Sequence, residues 1–190
     1  MRHGNTFETG QVPVQVGART DLPLTAEGRR QAEQMAAYLV SERPKAIYAG
    51  NLKRQKESAQ ILAQTFHLTV LHEPALTEID YGAWEGLTAE EIAARWPQEH
   101  AEWAQGRWPS GIFSGTWEGH QRALKEWLGR LREGEGVIVA VTSNGLLRFF
   151  QNEKVKTGHF CEIHLWKDDL KIQQWNINPQ YGKPLQNKVD

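Results

Sequence analysis

A chain of 190 residues and 21.7 kDa is the size of one α/β domain spanning 1–190, because two independent cores would leave each half unusually small. Hydrophobic residues at 39% and charged residues at 24% are globular proportions and exclude a disordered or fibrous chain. Lys and Arg number 22 against 23 Asp and Glu, a formal charge of −1, so no global field is present to hold a nucleic acid and any anion site must be local.

From Leu24, the run Thr25-Ala26-Glu27 leads into Ala32, Met35, Ala36 and Leu39 on one face, which predicts an amphipathic helix with Thr25 as N-cap. Pro44 breaks the chain, and residues 46–49 read as a buried strand closed by Gly50 and Asn51. A second helix is predicted over 53–65 and a strand over 68–71. Thr88 and Glu91 form a capping box opening another helix, which stops before Pro97. Residues 106–119 mix Gly, Pro, Ser and Trp without periodicity and read as a loop that covers a pocket. Ala123, Leu124, Trp127, Leu128 and Leu131 make a helical stripe, followed by a turn at 133–136 and the β-branched strand 137–142. Residues 160–166 and 170–175 alternate apolar and polar side chains around Lys167, Asp168 and Asp169, which predicts an antiparallel hairpin at the sheet edge.

The longest purely apolar run, 137–141, falls far short of the ~20 residues that cross a bilayer, so no membrane span is expected. One cysteine, Cys161, closes no internal disulfide, and no charged-then-apolar leader precedes the first motif; the expected compartment is the cytoplasm. His, Asp and Glu are not spaced as a metal set and there is no Walker loop, so neither a metal nor another cofactor is expected. The eight tryptophans are read as core or lid packing rather than a base-stacking surface.

Chemistry concentrates in Arg2-His3-Gly4-Asn5-Thr6, where a histidine sits between an arginine and a glycine that lets backbone approach a ligand. A neutral imidazole accepts a phosphoryl group, and neighbouring guanidinium groups favour the neutral form while binding phosphate bidentately. The tripeptide alone does not separate this from a solvated arginine beside an incidental histidine. Later segments do. Thr20-Asp21-Leu22-Pro23-Leu24-Thr25 with Gly28 and Ala32, then Ile47 to Arg54 with Ser58-Ala59, then Leu76-Thr77-Glu78-Ile79-Asp80-Tyr81-Gly82-Ala83-Trp84-Glu85-Gly86 follow in order. Together with 137–148 and Trp175-Asn176 they resemble the histidine phosphatases, the superfamily that includes cofactor-dependent phosphoglycerate mutases.

The resemblance implies a single three-layer α/β domain, with a mostly parallel central sheet, helices on both faces, an antiparallel edge, and a site at the carboxyl ends of the strands. It implies His3 as the phosphoryl acceptor, Glu78 as the proton donor, and Arg2, Asn5, Arg54 and position 143 as phosphate ligands. Three departures stand out. The family's second active-site histidine is replaced by Ser143, whose hydroxyl donates without charge; loss of one preorganised donor costs about 10²- to 10³-fold in rate. The Ser143-Asn144-Gly145 turn can return part of that by offering backbone N–H groups to an anion. Only Met1 precedes the Arg-His pair where the family has a strand, which predicts a sheet one strand short and a His3 exposed to fraying. Thr9 stands where the family often has an asparagine. His159, beside Gly158, is read as a partly exposed histidine rather than a substitute for the lost imidazole.

The expected activity is that of a metal-independent, acid-type phosphatase acting on a small phosphorylated metabolite through a phosphohistidine at His3. The alternatives are a phosphate-ligand binding or regulatory protein with weakened catalysis and, ranked lower, a phosphoglycerate mutase. Neither the remainder of the substrate nor the oligomeric state is written in the sequence.

Overall fold

Thr25 caps the first helix, α1 (Ala26–Tyr38), by accepting the Gly28 N–H at 3.1 Å in a computed structural model that describes residues 1–131, 136–166 and 169–181. Strand β1 (Ala46–Ala49), helix α2 (Lys53–Phe66) and strand β2 (Val70–His72) follow, close to the bounds predicted. Single 3₁₀ turns at Pro74–Leu76 and Gly82–Trp84 carry the chain to α3 (Ala89–Arg95). There the capping box forms in both directions: Glu91 N–H donates to Thr88 Oγ1 at 3.2 Å and Thr88 N–H to Glu91 Oε2 at 2.9 Å.

A further helix, α4 (Pro97–Ala104), was not expected. Pro97 stops α3 but occupies the first turn of α4, where a missing N–H costs nothing and the fixed φ suits a helix. Helix α5 (Trp117–Arg130) takes three residues from the predicted loop because Thr116 caps it, accepting the Gly119 N–H at 3.0 Å. Strand β3 (Ile138–Val141) and the one-turn helix α6 (Asn144–Leu147) precede an antiparallel hairpin of β4 (Phe160–Trp166) and β5 (Asp169–Ile177). The predicted turn at 133–136 lies mostly outside the described residues, as do Lys167 and Asp168.

The parallel sheet has the order β2-β1-β3, with Ala46 opposite Ile138 and Ala49 opposite Val141. Alternation along β1 divides the core. Ile47 and Ala49 pack with Ala32, Met35, Ala59 and Leu62 of α1 and α2, whereas Tyr48 turns to the opposite face and meets Trp127 of α5 edge-on at 5.6 Å. Helices therefore cover both faces, each fully buried Leu or Ile contributing about 1.5–3 kcal/mol.

The expectation of a missing strand is corrected by the first three residues. Met1 N donates to Ala140 O at 2.6 Å, Thr142 N–H to Met1 O at 3.0 Å and His3 N–H to Thr142 O at 3.0 Å, forming a parallel bridge between Arg2 and Thr142. On the other side Arg2 N–H donates to His159 O and Gly158 N–H to His3 O, both at 3.0 Å. Residues 1–3 thus pair on both sides, and His3 is fixed instead of fraying. Among the described residues no helix is long and apolar enough to cross a membrane.

Candidate active site

His3 follows that bridge and is 5% exposed. Its Nδ1 lies 2.7 Å from Gly4 O, and because a carbonyl only accepts, Nδ1 carries the proton. Nε2 is therefore the lone-pair nitrogen, and it accepts from Arg54 Nε at 3.2 Å. Burial, reinforced by the charges of Arg2 and Arg54, holds the imidazole pKa well below its ordinary value, so the ring is neutral at pH 7.

The loop after His3 lies directly on α1. A Cβ on Gly4 would overlap the Gly28 carbonyl, and one on Gly28 would overlap Asn5 O, which explains why the sequence sets glycines at both positions. Gly4 N–H donates to Ser58 Oγ at 3.0 Å and Asn5 N–H to Gln31 Oε1 at 2.9 Å. The Asn5 side chain closes its own turn, accepting the Thr6 N–H and donating to Phe7 O at 2.8 Å. Thr9 is exposed.

Arg54 enters from the first turn of α2 and is 1% exposed. Its guanidinium donates to Thr20 O at 2.8 Å and Gly17 O at 3.1 Å, so backbone carbonyls rather than a carboxylate hold it. The segment supplying them is itself anchored, with Gln15 N–H donating to Leu87 O at 2.8 Å, Ala18 N–H to Ile79 O at 3.0 Å and Thr20 Oγ1 to Glu85 Oε2 at 2.6 Å. Arg2 donates through Nη1 to Val155 O at 2.7 Å, while its Nε is buried with no partner among the described residues.

Glu78 is buried against the turn after β3, within reach of the charges of Arg54 and Arg2. Ile79 N–H donates to Oε1 at 3.0 Å and Gly145 N–H to Oε2 at 3.1 Å. Burial raises its pKa above the ordinary carboxyl value, against the opposing pull of Arg54, those amides and Arg2. The Tyr81 hydroxyl and the same carboxyl group both lie against Gly145, and burial with the Glu78 charge keeps this phenol protonated well past its usual range. The Gly145 amide is consequently directed at Glu78, not left open to an anion as the turn suggested.

Ser143 is buried at the junction of β3 and α6, and its Oγ accepts from Gln55 Nε2 at 2.9 Å. His159 is half-buried, with Nδ1 at 3.0 Å from Asn176 O. Gln55 was not singled out from the sequence, and Ser58 and Tyr81 were named there only within motifs, with no role. Gln55 had one available signal, since it shares the buried face of α2 with Ser58, Ala59 and Leu62. The flank beside Glu78 is aromatic: Phe113 packs nearly perpendicular to Trp84 at 4.9 Å, Tyr81 at 5.0 Å, Trp103 at 5.1 Å and Trp108 at 5.2 Å. Phe113 belongs to the predicted covering loop, which Ser114 N–H ties to Asp80 O at 3.0 Å. Among the described residues no group of three His, Cys, Asp or Glu side chains converges to hold a metal ion.

The structure thus brings Arg2, His3, Arg54, Glu78 and Ser143 to one end of the parallel sheet. A neutral imidazole nitrogen that accepts from one guanidinium and feels the charge of a second, near a carboxyl group raised toward its protonated form, is suited to receiving an anionic electrophile and returning a proton.

Comparison with known proteins agrees in extent. A metal-independent phosphoserine phosphatase of Arabidopsis thaliana is 32% identical over 188 residues, covering 94% of this chain and 78% of that protein. Phosphoserine phosphatase 1 of Hydrogenobacter thermophilus is 33% identical over 85 residues, 45% of this chain and 40% of the relative. A probable phosphoglycerate mutase of Proteus mirabilis is 32% identical over 138 residues, 73% of this chain. The chain spans about half the length of several such relatives, 49% and 54% in two of them. Among solved structures, a mycobacterial glucosyl-3-phosphoglycerate phosphatase superposes with a TM-score of 0.76 at 22% identity, over 92% of this chain and 95% of that one. A phosphoserine phosphatase of Entamoeba histolytica bound to 3-phosphoglyceric acid gives 0.76 at 20%, over 93% and 94%; at such identities the likeness is one of fold. The family pattern itself runs over residues 1–178, and the chain belongs to the histidine phosphatase superfamily, branch 1.

Proposed function

We propose that the protein is a metal-independent phosphatase that transfers the phosphoryl group of a small phosphomonoester to His3 and then to water. The observation that carries this reading is the His3 ring, neutral by its surroundings, with Nδ1–H fixed on Gly4 O and the Nε2 lone pair facing Arg54.

Nε2 attacks phosphorus in line as the P–O bond to the leaving alkoxide breaks. Arg54 Nε passes its hydrogen bond from Nε2 to a phosphoryl oxygen, and the unpartnered Arg2 Nε supplies a second donor. The Nδ1–H bond to Gly4 O stabilises the positive charge growing on the ring. Glu78 gives its proton to the departing oxygen, releasing the alcohol, and then as a carboxylate takes a proton from the water that displaces histidine from phosphorus. Inorganic phosphate leaves, and His3 and Glu78 return to their starting forms. Ser143 adds an uncharged donor, and Asn5 acts through the shape of its turn.

Phosphate release from an aryl phosphate under chelation, compared between wild type and His3→Ala, tests this directly. Activity should fall about 10⁴-fold or more in the variant, and an acid-labile phosphoprotein should be trapped only in the wild type. Retained turnover in His3→Ala would overturn the reading. Phosphate binding without turnover in the wild type would favour a binding or regulatory role, the reading that the loss of a histidine at 143 supports.

A further inference from the structure

Gln55 is fully buried one residue after Arg54, and its amide has no freedom. Leu52 N–H donates to Oε1 at 3.2 Å, and Nε2 donates to Leu76 O at 3.0 Å. A backbone N–H only donates and a carbonyl only accepts, so these two partners fix which end of the amide is nitrogen. The second Nε2 proton then goes to Ser143 Oγ at 2.9 Å. Leu76 O also accepts the Thr142 hydroxyl at 2.7 Å, which occupies both of its lone pairs and leaves Gln55 no alternative acceptor there.

The consequence falls on Ser143. With Oγ accepting from Gln55, its single hydroxyl proton must point elsewhere, and among the described residues it has no acceptor. Ser143 lies between the residue whose carbonyl fixes His3, Thr142, and the one whose amide fixes Glu78, Gly145. We propose that Gln55 is a positioning residue that turns the Ser143 hydroxyl into an obligate donor toward the bound phosphoryl group, the pair together filling the place of a histidine at 143. This rests on the phosphatase reading for its catalytic meaning, but its geometry concerns anion binding alone. It also implies that an imidazole at 143 is blocked while Gln55 remains. The ring would start where Oγ now lies and meet the amide nitrogen.

The test is titration of the purified protein with inorganic phosphate, alongside aryl phosphate turnover, in Ser143→Ala, Gln55→Met, their double variant and Gln55→Glu, each checked for a native thermal transition. Ser143→Ala and Gln55→Met should each weaken phosphate binding about tenfold, and the double variant no further than the weaker single one, because both remove one donor. Gln55→Glu keeps the side-chain volume but accepts the serine proton, and should weaken phosphate at least as much as Ser143→Ala. In turnover, Ser143→His alone should stay below wild type, and Gln55→Ala added to it should raise kcat. Losses that multiply in the double variant, or unchanged phosphate affinity in Ser143→Ala or Gln55→Glu, would overturn the proposal. If turnover does not depend on His3, the phosphatase reading falls while the phosphate titrations still decide the role of Gln55.

Discussion

The floor of the site and its aromatic flank are built on opposite physical terms. On the floor, His3, Arg54, Gln55, Glu78 and Ser143 are held by directional hydrogen bonds, most of them to backbone groups whose donor or acceptor character cannot change. On the flank, Tyr81, Trp84, Trp103, Trp108 and Phe113 are held by ring packing, which tolerates sliding and substitution of similar volume. Directional bonds fix the orientation of the groups they join, whereas ring packing excludes water and fixes only shape. The two regions should therefore fail differently when perturbed.

The largest separation is expected from the floor. Glu78→Gln should lower turnover of an alkyl phosphate about 10³-fold, and that of an aryl phosphate with a good leaving group much less, as loss of a proton donor requires. The same variant tests the pH profile. In the proposed mechanism turnover needs His3 neutral, a condition lost only as pH falls well below the ordinary histidine value of 6.5, and Glu78 protonated, a condition lost as pH rises past a value above the ordinary 4.5. The profile should thus lean acid, and Glu78→Gln should abolish its alkaline limb while the acid limb stays. Arg54→Met should cost about 10²-fold in kcat/KM and move the acid limb upward, because the Arg54 charge helps hold the imidazole pKa down. An unmoved limb would break the electrostatic account of the floor.

The flank should answer in stability. Phe113→Ala should lower unfolding free energy by about 3 kcal/mol while aryl phosphate turnover stays within tenfold, measured by denaturant melts beside kinetics. A collapse of kcat instead would mean that flank and floor are one unit. Smallest of all, Thr88→Ala removes a helix cap far from the chemistry and should cost about 1 kcal/mol with turnover unchanged.

What the sequence made legible follows the same division. Thr25, the Thr88–Glu91 box and the run at 46–49 act locally, so their patterns survive in one dimension. His3, Arg54 and Glu78 were expected from motif order, and the structure brings their side chains to one end of the sheet. Helix α4 was missed because Pro97 signals both an end and a beginning, and only the structure shows that it serves as both. The pairing of residues 1–3 was not foreseen because their support comes from Thr142 on one side and from Gly158 and His159 on the other, partners more than 130 residues away. Gln55 escaped notice because a lone glutamine in a helix carries no signal until its neighbours in space are known. Tyr81 lay inside a recognised motif, but its contact with Glu78 depends on how the 3₁₀ turn at Gly82–Trp84 bends the chain.

Gly4, intolerant of a side chain because of the Gly28 backbone, and Gly28, intolerant because of the Asn5 backbone, tie the loop after His3 to α1 with no adjustable part between them. In a deep mutational scan these two positions should therefore behave as one locus. Each should tolerate almost nothing, and neither should be rescued by a change at its partner, since both are already at the smallest residue available. The constraint makes this junction a fixed reference point from which drift elsewhere in the chain can be measured.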